Sequence, residues 1–128
     1  MARTLAEKMF VRPGYRAAVL HAPAGFAGLE PLPDDASVDR SLLGGHYDWI
    51  LLFGTRELEL DKRIPQARDA LKDGGLLWVA YPKGVEKAKL PTDLKRETVW
   101  AAGERAGLAS VAQVSIDDVW SAMRMKKG

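Results

Sequence analysis

Chemistry-bearing side chains in this 128-residue chain are few, and most stand where an α/β sheet would present them. His21 closes an apolar run and is followed by Gly25 in a Pro/Gly-rich loop. Arg56 follows a second run that ends at Gly54, and Tyr81 and Lys83 end a third. Arg56 with Lys83, Lys87 and Lys89, beside a helix start at Thr92-Asp93, could form an anion site, because a helix N-terminus adds partial positive charge. The plainer reading of the lysines is a loop facing water. His21 has the pKa range of a general base, although a histidine at the edge of the core explains it as simply. Two histidines without carboxylates at matched spacing make no metal site, and no catalytic residue is assigned. Asp117-Asp118 would point to opposite faces of a strand, so they read as a turn and not as paired acids. Trp49 and Trp78 fall in apolar runs and Trp100 near the inner side of a helix, whereas Trp120, just past the turn, would be exposed as an anchor for a second subunit.

The elements that must carry these residues follow from hydrophobic patterning. Arg16 to Ala22, Tyr47 to Phe53 and Leu76 to Tyr81 are continuous apolar runs bounded by Pro and Gly, which suits strands buried on both faces. Arg56 to Lys72 has Leu58, Ile64, Ala67 and Leu71 at helical spacing, but Pro65 predicts two short helical pieces, the second capped by Gly74. Thr92-Asp93 predicts the N-cap of a helix through Arg105, with Leu94, Val99 or Thr98, Ala101 and Ala102 inward and Gly107 closing it. Leu108 to Ile116 and Val119 to Met125 read as a terminal hairpin. In residues 23–46, prolines and glycines leave room for one brief strand near Ala36-Ser37-Val38, with a helical turn on either side. The order predicts one α/β domain over residues 1–128: a mostly parallel sheet with an antiparallel C-terminal hairpin and helices on both faces.

Composition narrows the function classes. There is no cysteine, which excludes disulfides, thiol catalysis and cysteine-ligated zinc. No apolar run approaches the roughly 18 residues of a membrane span, and no long apolar leader opens the chain, so the expectation is a cytoplasmic protein. A net charge of +2 is too small to point to nucleic acid. The charge is segregated, however. Residues 34–61 carry seven acids against two arginines, while Lys62 onward carries 13 basic and eight acidic residues.

Ala70-Leu71-Lys72-Asp73-Gly74-Gly75-Leu76-Leu77-Trp78-Val79 resembles the helix-to-strand segment of class I methyltransferases, in which a Leu-Lys-x-Gly-Gly turn feeds the fifth strand. Ala106-Gly107-Leu108 and the terminal hairpin resemble the last two strands of that fold. The chain is also similar to a family of small bacterial proteins whose fold is implied but whose activity is not, through Tyr81-Pro82-Lys83, Thr92-Asp93-Leu94 and Asp117 to Ser121. The methyltransferase resemblance implies S-adenosylmethionine as a cofactor. Where that family has an acid and closely spaced glycines after the first strand, this chain has His21 and Pro23. A carboxylate for the ribose is also hard to place, and about 20 residues between Gly25 and Tyr47 are too few for two further βα units.

The resemblance therefore implies a shortened methyltransferase-like Rossmann fold whose cofactor site is lost or rebuilt; no cofactor is expected, with S-adenosylmethionine the one that its incomplete glycine-rich fingerprint leaves open. Its expected role is a non-catalytic binding or interaction module, dimeric through an edge strand or Trp120. The alternative is an enzyme or binder for a small anionic or nucleotide-like ligand, using His21, Gly25, Arg56, Tyr81, Lys83 and Lys89. An S-adenosylmethionine-dependent methyltransferase comes third.

Overall fold

The computed structural model describes residues 4–26, 28–83 and 92–127. Six strands form one sheet: β1 (Arg16–Leu20), β2 (Ser37–Asp39), β3 (Tyr47–Phe53), β4 (Leu71–Pro82), β5 (Leu108–Ser115) and β6 (Trp120–Lys127). Among the described residues three helices accompany them: α1 (Leu5–Lys8), α2 (Glu57–Ala70) and α3 (Arg96–Arg105). The strand order is β2-β1-β3-β4-β6-β5, with β2, β1, β3 and β4 parallel and the β5–β6 hairpin antiparallel against β4. This is the expected α/β class and the expected mixed sheet.

The apolar runs are continuous because each central strand is covered on both sides. Ala18, Leu20, Ile50, Leu52, Leu77 and Val79 face α2 and α3, packing on Leu60, Ile64, Val99 and Ala102. Their alternate neighbours Ala17, Val19, Trp49, Leu51, Trp78 and Ala80 face the other way. On that second face the cover is α1, a single turn, with irregular chain that contributes Val11, Leu29, Phe26 and Leu32. Trp49 and Trp78 each donate an indole N–H to the carbonyl of Met9, at 2.8 Å and 3.1 Å, and so tie the N-terminal segment across two strands.

Several local expectations change. Pro65 lies inside one unbroken helix, because Leu60, Ile64 and Ala67 keep a single buried stripe across it and the packing of that stripe outweighs the lost N–H. In that phase Leu58 points outward, 82% exposed. Gly74 (φ 77°) does not cap α2: it belongs to a bulge in which β4 skips from Leu71 opposite Tyr47 to Leu76 opposite Trp49. The last helix starts at Arg96 and not at Thr92-Asp93, since Asp93 Oδ1 accepts the Glu57 N–H and caps α2 instead. Trp100 is 42% exposed and so is not on the inner side. Gly107 (φ 77°) does close the last helix as expected, and Asp117 Oδ1 makes the hairpin turn by accepting from Val119 and Trp120, each at 2.8 Å. The brief strand after Ala36 is β2, and among the described residues no helix flanks it.

The shared Met9 carbonyl generates a non-additive prediction. Trp49→Phe or Trp78→Phe alone leaves that carbonyl one donor, while the double variant buries it without any. In denaturant unfolding the double variant is expected to lose about 1–3 kcal/mol more than the sum of the singles. Additivity within about 0.5 kcal/mol would show that the carbonyl does not depend on the pair.

Candidate ligand crevice at the carboxyl ends of the strands

In an open α/β sheet the strand connections diverge at a switch point, and a crevice opens there beyond the strand ends. Here the chain leaves β1 toward β2 on one side, while β3 lies on the other. A crevice of about 390 Å³ sits at this place, lined by His21 to Pro23 after β1, Phe53 to Thr55 after β3, Glu59 and Arg63 of α2, and Trp120 of β6. Local sequence explains the opening. His21 takes a left-handed φ of 58°, which turns the backbone sharply off β1. Gly54 lets α2 pack close, since a Cβ there would stand 2.6 Å from Leu60 Cδ2.

The floor of the crevice is held by a carboxylate. Glu59 Oε1 accepts from the Thr55 N–H at 2.9 Å, the Arg56 N–H at 3.1 Å and the Thr55 hydroxyl at 3.3 Å, and its other oxygen pairs with Arg63 at 3.5 Å. Those bonds, led by the one from Thr55, keep the Glu59 carboxyl below the usual range despite partial burial. Arg63 also donates to the Phe53 carbonyl at 3.2 Å, so its guanidinium is fixed against the end of β3. Phe53 packs edge-to-face on Trp120 at 5.1 Å and on Phe26 at 5.0 Å, giving the crevice an aromatic wall.

The residues singled out from the sequence divide between places. His21 lines the crevice. Gly25 lies in the loop after β1, where a Cβ would meet nothing within 4 Å, so no close approach requires its lack of a side chain. Arg56 is the residue before α2; its N–H is taken by Glu59 and that of Glu57 by Asp93, and the helix start expected at Thr92-Asp93 lies instead at Arg96. Tyr81 and Lys83 line a different cavity beside α3. Lys87 and Lys89 lie outside the described residues. Trp120 is only 6% exposed, because it forms the wall with Phe53, and this corrects the expectation of an exposed anchor. Thr55, Glu59, Arg63 and Phe53 were missed. The signal for them was present in Glu59 and Arg63, four residues apart on the helix that follows β3. No carboxylate waits at the end of β2 either: Asp39 Oδ2 accepts from the Tyr47 hydroxyl at 2.6 Å and Arg16 at 3.5 Å, at the amino ends of β1 and β3.

Comparison with known proteins gives the class of the fold. DhpI in complex with SAH superposes with a TM-score of 0.67 at 9% identity, covering 98% of this chain and 82% of that one. A TehB-like SAM-dependent methyltransferase from Corynebacterium glutamicum gives a TM-score of 0.63 at 12% identity, with coverages of 97% and 85%. An S-adenosylmethionine-dependent methyltransferase from Clostridium acetobutylicum gives 0.61 at 8% identity, with 97% and 87%. No family model matches the chain, and no curated protein matches it. The chain has the Rossmann-like fold of class I S-adenosylmethionine-dependent methyltransferases.

Two expectations are corrected by this likeness. The non-catalytic interaction module gives way, because the structures that match nearly the whole chain are methyltransferases. The absence of a cofactor gives way too, since similar structures include complexes with SAH and with S-adenosylmethionine. Against the three structures above, the shortening amounts to less than a fifth of each chain. No described helix is long and apolar enough to cross a membrane.

The crevice predicts an unusual titration. Partial burial is the larger cause that lowers the His21 pKa from 6.5, and Arg63 is the second, with Glu59 opposing. A lowered histidine pKa means that the unfolded state binds the proton first, so acidification below about 6.5 costs stability. Histidine proton NMR is expected to show His21 titrating below 6.5, and Arg63→Gln should move it upward. A midpoint at or above 6.5 would contradict the placement of His21 against the crevice wall.

Proposed function

We propose that this chain binds S-adenosylmethionine in the crevice between β1 and β3 and transfers its methyl group to a small acceptor. The observation that carries the reading is the coincidence of a crevice at the switch point with a sheet that matches methyltransferases over 97–98% of the chain. The donor set suits the ligand's two ends. Arg63 and Glu59 offer a fixed cation and a fixed anion to a zwitterionic amino-acid group, and Phe53 with Trp120 offers apolar surface to an adenine. The ribose finds no free carboxylate at the end of β2, so its hydroxyls would be met by backbone and Thr55.

When bound, S-adenosylmethionine supplies a methyl group on a sulfonium, open to displacement by an acceptor's lone pair. The protein's share of the work is position and proton transfer. Arg63 and Thr55 are held by Glu59 and the Phe53 carbonyl before any ligand arrives, so little conformational freedom is lost on binding. His21 lines the same crevice with its imidazole biased toward the neutral form, and a free ring nitrogen can take the proton that the acceptor gives up.

Calorimetric titration with SAH tests the reading. A dissociation constant in the micromolar range is expected, with Arg63→Gln weakening it by about tenfold, the loss of one charge-assisted contact. No heat of binding at millimolar SAH, with the chain folded, would overturn it.

A further inference from the structure

A second cavity, of about 680 Å³, opens on the same carboxyl edge of the sheet but beside α3, bounded by the end of β4 and the β5–β6 hairpin. Its volume lies within the range of small-molecule sites. Among the described residues, three cationic side chains line it, Lys83, Lys95 and Arg96, against one acid, Glu97. Among the described residues none of the three cations forms an ion pair, and Lys83 is held in place by donating to Ser115 Oγ at 2.6 Å. Lys95 precedes the ten-residue α3 and its side chain does not cap that helix.

The second, independent observation is a pair of hydroxyl groups on two largely buried residues. Tyr81 is 4% exposed and Ser121 is 9% exposed, and both line the cavity. Neither hydroxyl has a hydrogen-bond partner among the described residues, yet no fully buried polar side-chain atom there lacks one. Both hydroxyls therefore open on the cavity and not on the packed interior. Apolar residues would fill such positions at lower cost if nothing polar were to be bound. Burial raises the Tyr81 pKa, Arg96 opposes that to a smaller extent and Glu97 adds to it, so the phenol stays a proton donor.

We infer that this cavity is the acceptor subsite, and that it takes a small molecule carrying an anionic oxygen group, a carboxylate or phosphate. Arg96, Lys83 and Lys95 supply the charge, and the Tyr81 and Ser121 hydroxyls supply directed donors. Calling the occupant the acceptor rests on the methyltransferase reading, whereas its anionic character rests on this cavity alone.

Amide NMR of the full chain tests it with benzoate, inorganic phosphate and the neutral comparator benzamide. Benzoate or phosphate is expected to give saturable shifts at Ser115 and Ser121, with benzamide at least about tenfold weaker. Arg96→Gln should weaken the anion by about tenfold and Tyr81→Phe by about fivefold, the latter keeping the ring that packs the core. The inference is overturned if neither anion gives saturable shifts, if benzamide binds as well, or if both variants bind like the native chain. SAH in a parallel titration should shift Thr55. Anion shifts without SAH shifts would sink the cofactor reading and leave this site standing; SAH shifts without anion shifts would do the reverse.

Discussion

The backbone carbonyl of Met9 is the acceptor on which one face of the sheet depends. Two indole N–H groups from adjacent central strands converge on it, and all three groups are buried. A six-stranded sheet needs cover on both faces, and among the described residues the second face is covered by one helical turn and irregular chain. Irregular chain carries many polar groups that must be satisfied locally. The indoles meet part of that need while placing the two largest fully buried side chains on that face. Thr4 and Glu7 cap the single turn reciprocally, and Lys8 reaches the Ser115 carbonyl at 2.6 Å, so the segment is fixed at both its ends and its middle.

The same economy shapes the crevice. With β2 only three residues long and paired to the amino half of β1, the carboxyl half of β1 is free on one side. The acid that ends β2 is turned to a cluster at the opposite edge, where Tyr47 and Arg16 hold it. The charged groups that line the crevice come instead from α2. Glu59 satisfies the first backbone groups of its own helix and orients Arg63, so one residue serves both the fold and the site.

Strand cores were legible because a strand buried on both faces leaves an uninterrupted apolar run, as in Tyr47 to Phe53, whose limits agree with β3. The hairpin turn was legible from Asp117, whose side chain makes the bonds that its position suggested. Pro65 misled, since local propensity argues for a break while the stripe of Leu60, Ile64 and Ala67 is a tertiary reason to continue. Asp93 misled for a similar reason. A cap residue is readable by type, but which helix it caps depends on chain segments 36 residues apart meeting in space. His21 was placed correctly at a strand end, whereas the partition of His21 from Tyr81 and Lys83 into two cavities needed the strand order, which residue spacing does not contain.

The central claim is that the donor sits between β1 and β3. A crystal structure of the chain grown with saturating SAH measures this most directly. The account predicts ligand density between His21 and Thr55, in contact with Arg63. Density beside Tyr81 and Arg96 instead, or none in a crystal whose crevice is open to solvent, would contradict it.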